Sequence, residues 1–288
     1  MKKLSPLNKL LFIINSLVAA VLLVAYLSYF IAPNTITLIS LISLAIPVLI
    51  LLNFLFLIYW LIQFKKQLLL PLITLLIGFQ YVTKFYQLNN KEVLLNSDTK
   101  IMSYNVRLFN LYDWLNEEDV DKKIVAFINK KKPDILCIQE FHPDNNLDLD
   151  YPYSYIQIRN KKNQFGHAIF SNYKIINSGS LDFSNSSNNA IFIDVLKEKD
   201  TLRVYNVHLE SLKIKPPKKG FEINSEVSEH FKKRVESAFV TQTNQVNLLK
   251  ANMDKIKHKS VICGDFNNTA FSWVYAELKE KKQDAFEV

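Results

Sequence analysis

The chain has 288 residues, enough for one medium-sized domain and a further segment. Hydrophobic residues make up 49% of it, which is high for a wholly soluble protein. The formal net charge is +8, but seven of the basic residues and only one acidic residue precede Ser97. The rest of the chain is therefore close to neutral, which argues against interpreting the high isoelectric point as the mark of a nucleic-acid-binding protein.

The N-terminal third is predicted to be an α-helical membrane module, residues 1–88. No charged residue occurs from Leu10 to Phe64, and about 20 apolar residues are enough to cross a bilayer. We expect about three spans, over residues 10–32, 36–64 and 68–83. A two-helix hairpin is the alternative, because the third segment is short. Pro47 is expected to kink the second span.

Lysine residues give the predicted orientation of this module. Lys2, Lys3 and Lys9 precede the first span, and Lys65-Lys66 separates the second from the third. Basic residues beside a span tend to stay in the cytoplasm. An integral protein of a bacterial-type plasma membrane with three such spans would carry its C-terminal domain on the extracytoplasmic side. Two spans would keep that domain inside.

After a polar linker, residues 89–99, short apolar segments alternate with amphipathic ones. The predicted strands are Lys100–Tyr104, Asp134–Ile138, Tyr153–Ile158, Gly166–Ser171, Ile191–Leu196, Thr201–Val207 and Val261–Cys263. The predicted helices are Asp119–Lys131, one or two within Val227–Ile256, and Phe271–Lys282. This alternation predicts a layered α/β sandwich over residues 100–288.

Polar side chains follow four of the predicted strands. They are Asn105, then Glu140, then Asn206 with His208, and finally Asp265 with Asn267. Because alternate side chains of an extended strand share a face, we expect the members of each pair to project together. Oxygen-bearing side chains at strand ends suit a hard cation, or a water molecule held beside a phosphate.

A structural interpretation stays open for each cluster. Asn105 can hold a metal-bound carboxylate or contact the ion itself. A carboxylate directly after a buried strand, such as Glu140, needs solvent, a partner or a metal, but it can also cap a helix. Near neutral pH, His208 can serve as an acid or donate a hydrogen bond to a phosphate, or it can be structural. Asp265 and Asn267 can form an Asx turn that caps the next helix.

Taken in chain order, the clusters resemble the endonuclease/exonuclease/phosphatase family, which includes deoxyribonucleases and neutral sphingomyelinases. The matching motifs are Ser103-Tyr104-Asn105, Gln139-Glu140, Gly166-His167-Ala168-Ile169-Phe170-Ser171, Asn206-Val207-His208 and Gly264-Asp265-Phe266-Asn267. The resemblance implies a two-sheet α/β sandwich with its site at one edge. It also implies hydrolysis of phosphoesters that depends on Mg²⁺ or Mn²⁺.

The resemblance also implies roles for individual residues. The metal ligands would be Glu140, Asn105 and Asp265; the catalytic residues would be His208, Asp265 and Asn267; and the substrate-binding residues would be Asn206, Asn267 and His208. In this scheme Asp265 orients or activates the attacking water, and His208 stabilises developing charge or assists proton transfer. His167 stands where the family usually has an apolar residue, and we interpret it as structural.

The sequence departs from the family pattern at its end. Family members carry a C-terminal Ser-Asp-His-type motif, preceded by a further acidic residue of the metal site. Neither element is found before the sequence ends at Asp284-Ala285-Phe286-Glu287-Val288. We therefore expect the domain to be C-terminally incomplete. The alternatives are a degenerate form used for binding, or a site completed by a partner.

The leading hypothesis is a membrane-anchored, divalent-metal-dependent phosphoesterase acting on phosphodiester or phosphomonoester bonds. The expected partners are the lipid bilayer and a phosphoester substrate, which is a phospholipid, a small phosphoester or a nucleic acid. The alternatives are an extracytoplasmic nuclease and a catalytically inactive membrane scaffold. The basic loop Lys213–Gly220 is a candidate for substrate specificity. We interpret Cys137 and Cys263 as buried thiols and expect no disulfide partner.

Overall fold

The computed structural model describes residues 4–84, 95, 98–143, 147–160, 165–212 and 225–287. The chain divides into two compact units. The first comprises Met1–Lys91, Leu212–Val246 and Asn268–Val288, and the second comprises Glu92–Ser211 and Asn247–Asn267. The loop Lys213–Gly220 and most of the predicted linker, residues 89–99, lie outside the described residues. The predicted domain boundaries at residues 88 and 100 therefore stay a prediction.

Eight helices and eight strands are described, together with short 3₁₀ turns. The helices are α1 (Pro6–Tyr26), α2 (Thr37–Ser43), α3 (Ile46–Ile62), α4 (Leu69–Ile77), α5 (Phe79–Val82), α6 (Val120–Lys131), α7 (Ser225–Met253) and α8 (Trp273–Lys279). The strands are β1 (Ile101–Asn105), β2 (Ile135–Phe141), β3 (Tyr153–Asn160), β4 (Phe165–Ser171), β5 (Lys174–Leu181), β6 (Ala190–Lys197), β7 (Asp200–His208) and β8 (Lys259–Asp265).

The prediction of about three membrane spans is wrong for the described residues. One helical segment, Pro6–Tyr29, is long and apolar enough to cross a membrane; it comprises α1 and the 3₁₀ turn that follows it. A second candidate exists only if α2 and α3 count as one span despite a 60° bend. Pro47 causes more than a kink, because a proline lacks the amide hydrogen of a helix interior and clashes with the preceding turn. It therefore lies in the first turn of α3. The third segment forms only the shorter apolar helix Lys66–Ile77.

The N-terminal helices of the first unit bury polar side chains and expose apolar ones. The Asn8 side chain in α1 donates to Gln63 Oε1 at 2.9 Å and accepts a hydrogen bond from the Tyr59 hydroxyl at 2.7 Å. About two turns further along α1, Asn15 Oδ1 accepts a hydrogen bond from Trp60 Nε1 at 3.0 Å. More than half of the side-chain surface is exposed at Leu7, Leu10, Ile13 and Leu17. The buried residues of α1 thus include Asn8 and Asn15, while these four apolar side chains are exposed.

The second unit contains two four-stranded sheets, with the orders β1-β2-β4-β3 and β5-β6-β7-β8. The strands β1 and β2 are parallel, as are β7 and β8, and the other neighbouring pairs are antiparallel. These two mixed sheets, with helices beside them, confirm the predicted α/β class. The sequence did not predict β5, because this edge strand exposes half of its residues and has no continuous apolar run.

Alternate side chains of β2 pack into two different apolar layers. Ile135 and Cys137 belong to a cluster that includes residues of both sheets, such as Ile169 of β4 and Ile193 of β6. Leu136 and Ile138 belong to a second cluster, which includes the fully buried Ile128 of α6. The period of two in a strand explains this division. The strand is therefore apolar on both faces, as its sequence predicts.

Candidate active site at the strand ends

The structure brings four of the predicted site residues together. Because β1 is parallel to β2, Asn105 lies opposite Gln139, and because β7 is parallel to β8, His208 lies opposite Asp265. Parallel neighbours end at the same edge of a sheet. Glu140 follows Gln139 directly. We refer to Asn105, Glu140, His208 and Asp265 as the strand-end cluster.

The Asn105 amide joins the two carboxylates of this cluster. Its Nδ2 donates to Glu140 Oε1 at 3.1 Å and to Asp265 Oδ2 at 3.0 Å. Its Oδ1 accepts a hydrogen bond from the Arg107 amide at 3.0 Å. In this arrangement Asn105 holds the carboxylates in place and does not present its oxygen beside them. Of the two roles open to Asn105, the geometry matches the first.

A bulge in β2 directs Glu140 toward this position. The register between β2 and β4 shifts between Ile138 and Phe141, and Glu140 adopts a left-handed backbone with a φ of 51°. Such a conformation costs a non-glycine residue about 1–3 kcal/mol and is found mainly where function requires it. Bulges next to active sites re-aim a side chain in this way. The strained residue, Glu140, is one of the three predicted metal ligands.

Gly264 allows β8 to approach β7 closely just before Asp265. Its φ is +145°, and a Cβ atom at this position would lie 1.9 Å from the Val207 carbonyl oxygen. Only glycine fits such an approach without moving the backbone. The glycine of the Gly264-Asp265-Phe266-Asn267 motif therefore sets the position of Asp265.

His208 is buried and faces both carboxylates. Its Nε2 lies 4.0 Å from Glu140 Oε1 and 4.0 Å from Asp265 Oδ2. Burial lowers the pKa of His208, and the charges of Asp265, Glu140 and Glu210 oppose this effect without reversing it. The imidazole is therefore neutral near pH 7 and can donate or accept a hydrogen bond.

Asp265 and Asn267 form a turn. The Asn267 amide donates to Asp265 Oδ1 at 3.0 Å, and its side-chain Nδ2 donates to the Leu209 carbonyl at 2.9 Å. With a φ of 48°, Asn267 is not extended, so the period-two placement expected for this pair does not apply. The Asx-turn interpretation matches this geometry, but the following helix α8 is capped by Ser272 instead.

Asn206 lies away from the strand-end cluster, in the interior. It is fully buried; its Nδ2 donates to the carbonyls of Ile138 at 2.8 Å and Ala168 at 3.0 Å, and its Oδ1 accepts from Gln139 Nε2 at 2.6 Å. The side chain thus joins the two sheets. The predicted contact with a phosphate oxygen would require these hydrogen bonds to break.

Sequence reasoning missed Glu210, the third member of an alternating series with Asn206 and His208. The Glu210 side chain is buried and accepts a hydrogen bond from the Ser186 hydroxyl. It is also one of the three acids whose charge acts on His208. Continuing the period of two beyond the end of β7 would have identified it.

Two family models match the chain. A domain of unknown function (DUF8431) matches residues 8–85, and the model of the endonuclease/exonuclease/phosphatase family matches residues 102–286. The second match covers more than half of the sequence. The chain belongs to the endonuclease/exonuclease/phosphatase family. No curated protein matches the chain.

Several solved structures are similar to part of the chain at low identity. Sphingomyelinase C from Streptomyces griseocarneus is 16% identical over 63% of this chain and 68% of that one, with a TM-score of 0.46. TDP2 from D. rerio, complexed with a single-strand DNA product, is 18% identical over 61% of this chain, with a TM-score of 0.44. The match spans 64% of the D. rerio chain. A family protein from Leptotrichia buccalis is 16% identical over 64% of this chain and 73% of that one, with a TM-score of 0.41.

The family resemblance implies a divalent cation, and the strand-end cluster can be tested for its fit. Among the described residues, no group of three or more His, Cys, Asp or Glu side chains is arranged to hold a metal ion. The carboxylates of Glu140 and Asp265 nevertheless supply hard oxygen donors on a common amide, and their side chains are 29% and 34% exposed. Mg²⁺ is usually bound by one or two carboxylates, with water and substrate oxygens completing its shell. The residues fit such a cation.

Proposed function

We propose that the chain is a membrane-anchored phosphoester hydrolase that depends on Mg²⁺ or Mn²⁺. One observation carries this proposal: the Asn105 amide holds Glu140 and Asp265 together, with the neutral His208 imidazole 4.0 Å from each carboxylate. Two neighbouring carboxylates repel one another, and a nearby positive charge favours the ionised form of both. The Asn105 amide and a bound cation would together offset this repulsion.

Each residue of the cluster has a role in the proposed reaction. Glu140 and Asp265 would hold the cation, which supplies Lewis-acid polarisation of a phosphoryl oxygen when bound. Asp265 would also orient the attacking water, while Asn105 keeps both carboxylates in position. His208 would donate a hydrogen bond to the phosphoryl group or transfer a proton. Asn267, and Asn206 after a rearrangement, are the predicted ligands of phosphate oxygens.

Membrane anchoring is supported by the exposed apolar residues of α1 and by the buried hydrogen bonds of Asn8 and Asn15. With α1 as a single crossing and Lys2, Lys3 and Lys9 in the cytoplasm, the rest of the chain would be extracytoplasmic. Trypsin added to intact spheroplasts should then cleave the C-terminal part. Protection that is lost only on lysis would place the catalytic part inside the cell.

The decisive experiment measures hydrolysis by the full chain in lipid nanodiscs. Bis(p-nitrophenyl) phosphate, p-nitrophenyl phosphate, sphingomyelin and single-stranded DNA would be compared with Mg²⁺ and after chelation. We expect turnover that requires the cation and that Glu140→Ala abolishes. Glu117→Gln, which changes an exposed acid paired with Lys123, is the matched control. Unchanged turnover in Glu140→Ala would mean that the site is elsewhere, and no turnover with any substrate would favour the scaffold alternative.

The extracytoplasmic nuclease remains the second enzyme candidate, and salt separates it from a lipid or small-phosphoester hydrolase. Binding to single-stranded nucleic acid weakens steeply with salt, because each phosphate contact releases counterions. The near-neutral charge after Ser97 disfavours such contacts. We expect turnover of sphingomyelin or a small diester to depend only weakly on salt between 50 and 200 mM, a range over which nucleic-acid affinity falls by about 10³–10⁵ for proteins with six to ten phosphate contacts.

A further inference from the structure

The layer between the two sheets changes from apolar to polar toward the strand-end cluster. On β2, Cys137 is followed at the alternate position by Gln139, and on β4, Ile169 is preceded by His167. On β7, Val204 is followed by Asn206 and then His208. All four polar side chains are buried. They form what we call the polar layer: Gln139, His167, Asn206 and His208.

Gln139 and Asn206 have hydrogen-bond partners in this layer, but His167 does not. Gln139 Nε2 donates to Ser103 Oγ at 3.1 Å and to Asn206 Oδ1 at 2.6 Å. His167 is 2% exposed, and among the described residues neither of its ring nitrogens has a hydrogen-bond partner. A buried polar atom without a partner opposes folding. An apolar side chain would suit the fold better, so stability does not explain His167.

His167 instead contacts the histidine of the strand-end cluster. The two rings meet edge to face, with centroids 5.9 Å apart and an interplanar angle of 90°. His167 lies on β4 opposite the bulge that directs Glu140, between the pairs Gly166–Phe141 and Ala168–Ile138. Burial lowers the pKa of His167 to about 3, with smaller contributions from the charges of His208 and Arg159. The ring is therefore neutral and adds no positive charge beside His208.

We propose that His167 is a positioning residue, which sets the tautomer and ring orientation of His208 through the contact between the two rings. In the structure, His208 Nε2 faces Glu140 and Asp265. The partner of the other ring nitrogen decides which nitrogen of an imidazole carries the proton. His167 is the ring in contact with His208, and its nitrogens have no other partner among the described residues. This inference rests on the proposed function, because it assigns His208 a proton or hydrogen bond that it must deliver at Nε2.

The test compares His167→Leu with His167→Gln in the full chain in nanodiscs. The matched control is Ile169→Val, which changes the same inner face of β4 two residues away. The ¹⁵N shifts of selectively labelled histidines report tautomers without any need for activity, and the chain has only five histidines. We expect His167→Leu to shift the His208 signals and lower kcat by about 10–100-fold at similar KM. It should leave the melting temperature unchanged or raised.

His167→Gln keeps one hydrogen-bonding group near the ring position. It should therefore bring both the His208 ¹⁵N shifts and kcat part of the way back to the wild-type values. Unchanged His208 shifts in His167→Leu would overturn the proposal. A fall in melting temperature that accounts for the whole loss of turnover would also overturn it, because that is the effect of a structural residue. Failure of the proposed function is distinguishable: the wild type would then hydrolyse no substrate, while the effect of His167 on the His208 shifts would still be measured.

Discussion

The Asn105 side chain donates a hydrogen bond to Asp265 Oδ2 at 3.0 Å across 160 positions of the sequence, from one sheet to the other. The same nitrogen donates to Glu140. A single amide thus fixes the separation of two carboxylates that come from β8 and β2. The Asn105 amide is bonded to both carboxylates, whereas each acid is bonded to only one side of it. The geometry of the cluster therefore depends on Asn105 more than on either acid.

Asn105→Ala should therefore weaken cation binding while leaving the fold intact. Outer-shell partners of metal ligands typically contribute about 10–100-fold to metal affinity, and we expect a loss in this range in Mg²⁺ titrations of turnover. Mg²⁺ should also raise the melting temperature of the wild type more than that of the variant, because a ligand stabilises the state that binds it. Asn129→Ala, which removes an exposed amide bonded to the Asp148 carbonyl, is the control. Equal Mg²⁺ dependence in the two variants would contradict the bridging role.

Gly264→Ala should destabilise the second unit strongly. The new Cβ would lie 1.9 Å from a backbone carbonyl, at a φ of +145°, so the backbone of β7 or β8 must move. We expect a loss of at least about 3 kcal/mol in the free energy of unfolding. Gly179→Ala is the matched comparison in edge strand β5, where the new Cβ would meet only the Phe192 ring at 2.6 Å, which can rotate away. Similar losses in both variants, measured by chemical denaturation, would rule out the backbone explanation.

Lowering the pH should remove the stability that a buried ion pair, Arg203 with Asp194, contributes to the folded state. Arg203 Nε lies 2.6 Å from Asp194 Oδ1, and both side chains are less than 10% exposed. Burial raises the pKa of Asp194, but hydrogen bonds from Arg203 and Asn177 and the charge of Arg203 outweigh it, so the net shift is downward. A lowered folded-state pKa means that this stability is present above the unfolded-state pKa, near 4. It is lost as the pH falls through the folded-state pKa.

Asp194→Asn tests this relationship. At pH 7 the variant leaves Arg203 buried without its counter-charge, which costs about 3–5 kcal/mol. Between pH 5 and pH 2, however, it should lose less stability than the wild type, because the titrating group is gone. Asp119→Asn, at an exposed carboxylate paired with Lys122, should have little effect at either pH. Parallel pH profiles for wild type and Asp194→Asn would contradict the prediction.

Phe271 should be essential for the packing of the C-terminal segment within the first unit. It is 6% exposed and lies in a cluster with Leu22, Tyr26 and Tyr81, and its carbonyl accepts a hydrogen bond from Ser28 at 3.1 Å. Phe271→Ala should cost about 3–5 kcal/mol and speed proteolysis of residues 270–287. Phe286→Ala removes an aromatic side chain that is 51% exposed and should change neither. Unaltered proteolysis in Phe271→Ala would show that the helices do not hold this segment.

Much of the fold and part of the site could be predicted from local sequence alone. The apolar run of β2 predicts a buried strand, and the structure buries it. The run Val261–Cys263 predicts the strand β8, but the structure leaves this strand only partly buried. The polar residues that follow the strands have the oxygen donors of a cation or phosphate site, and the family resemblance implied that they form one site. Asn105, Glu140, His208 and Asp265 were predicted in this way. The edge strand β5 was not, since its exposed residues leave no periodic signal.

Other features depend on contacts between distant residues. Cys137 is buried, as predicted, whereas Cys263 is only partly buried and donates to the Tyr205 carbonyl at 3.4 Å. The neighbouring Cys263, together with burial, raises the pKa of the Cys137 thiol. No local pattern indicated that the two cysteines are neighbours, because each occupies one position in the apolar run of its own strand. Asn206 is a similar case. Its period-two relation to His208 was visible, but its hydrogen bonds to Ile138 and Ala168 depend on the pairing of β2 with β4.

The sequence by itself determined the strand and helix types, the apolar N-terminal segment, the family, and the residue types available for chemistry. These follow from short-range patterns, because side-chain periodicity and turn residues act over only a few positions. Tertiary structure decided the number of long apolar helices, the amide bridge at Asn105, the strained backbone of Glu140 and the contact between His167 and His208. Each of these depends on how strands and helices far apart in the sequence pack together, and a local pattern carries no information about packing distance or direction.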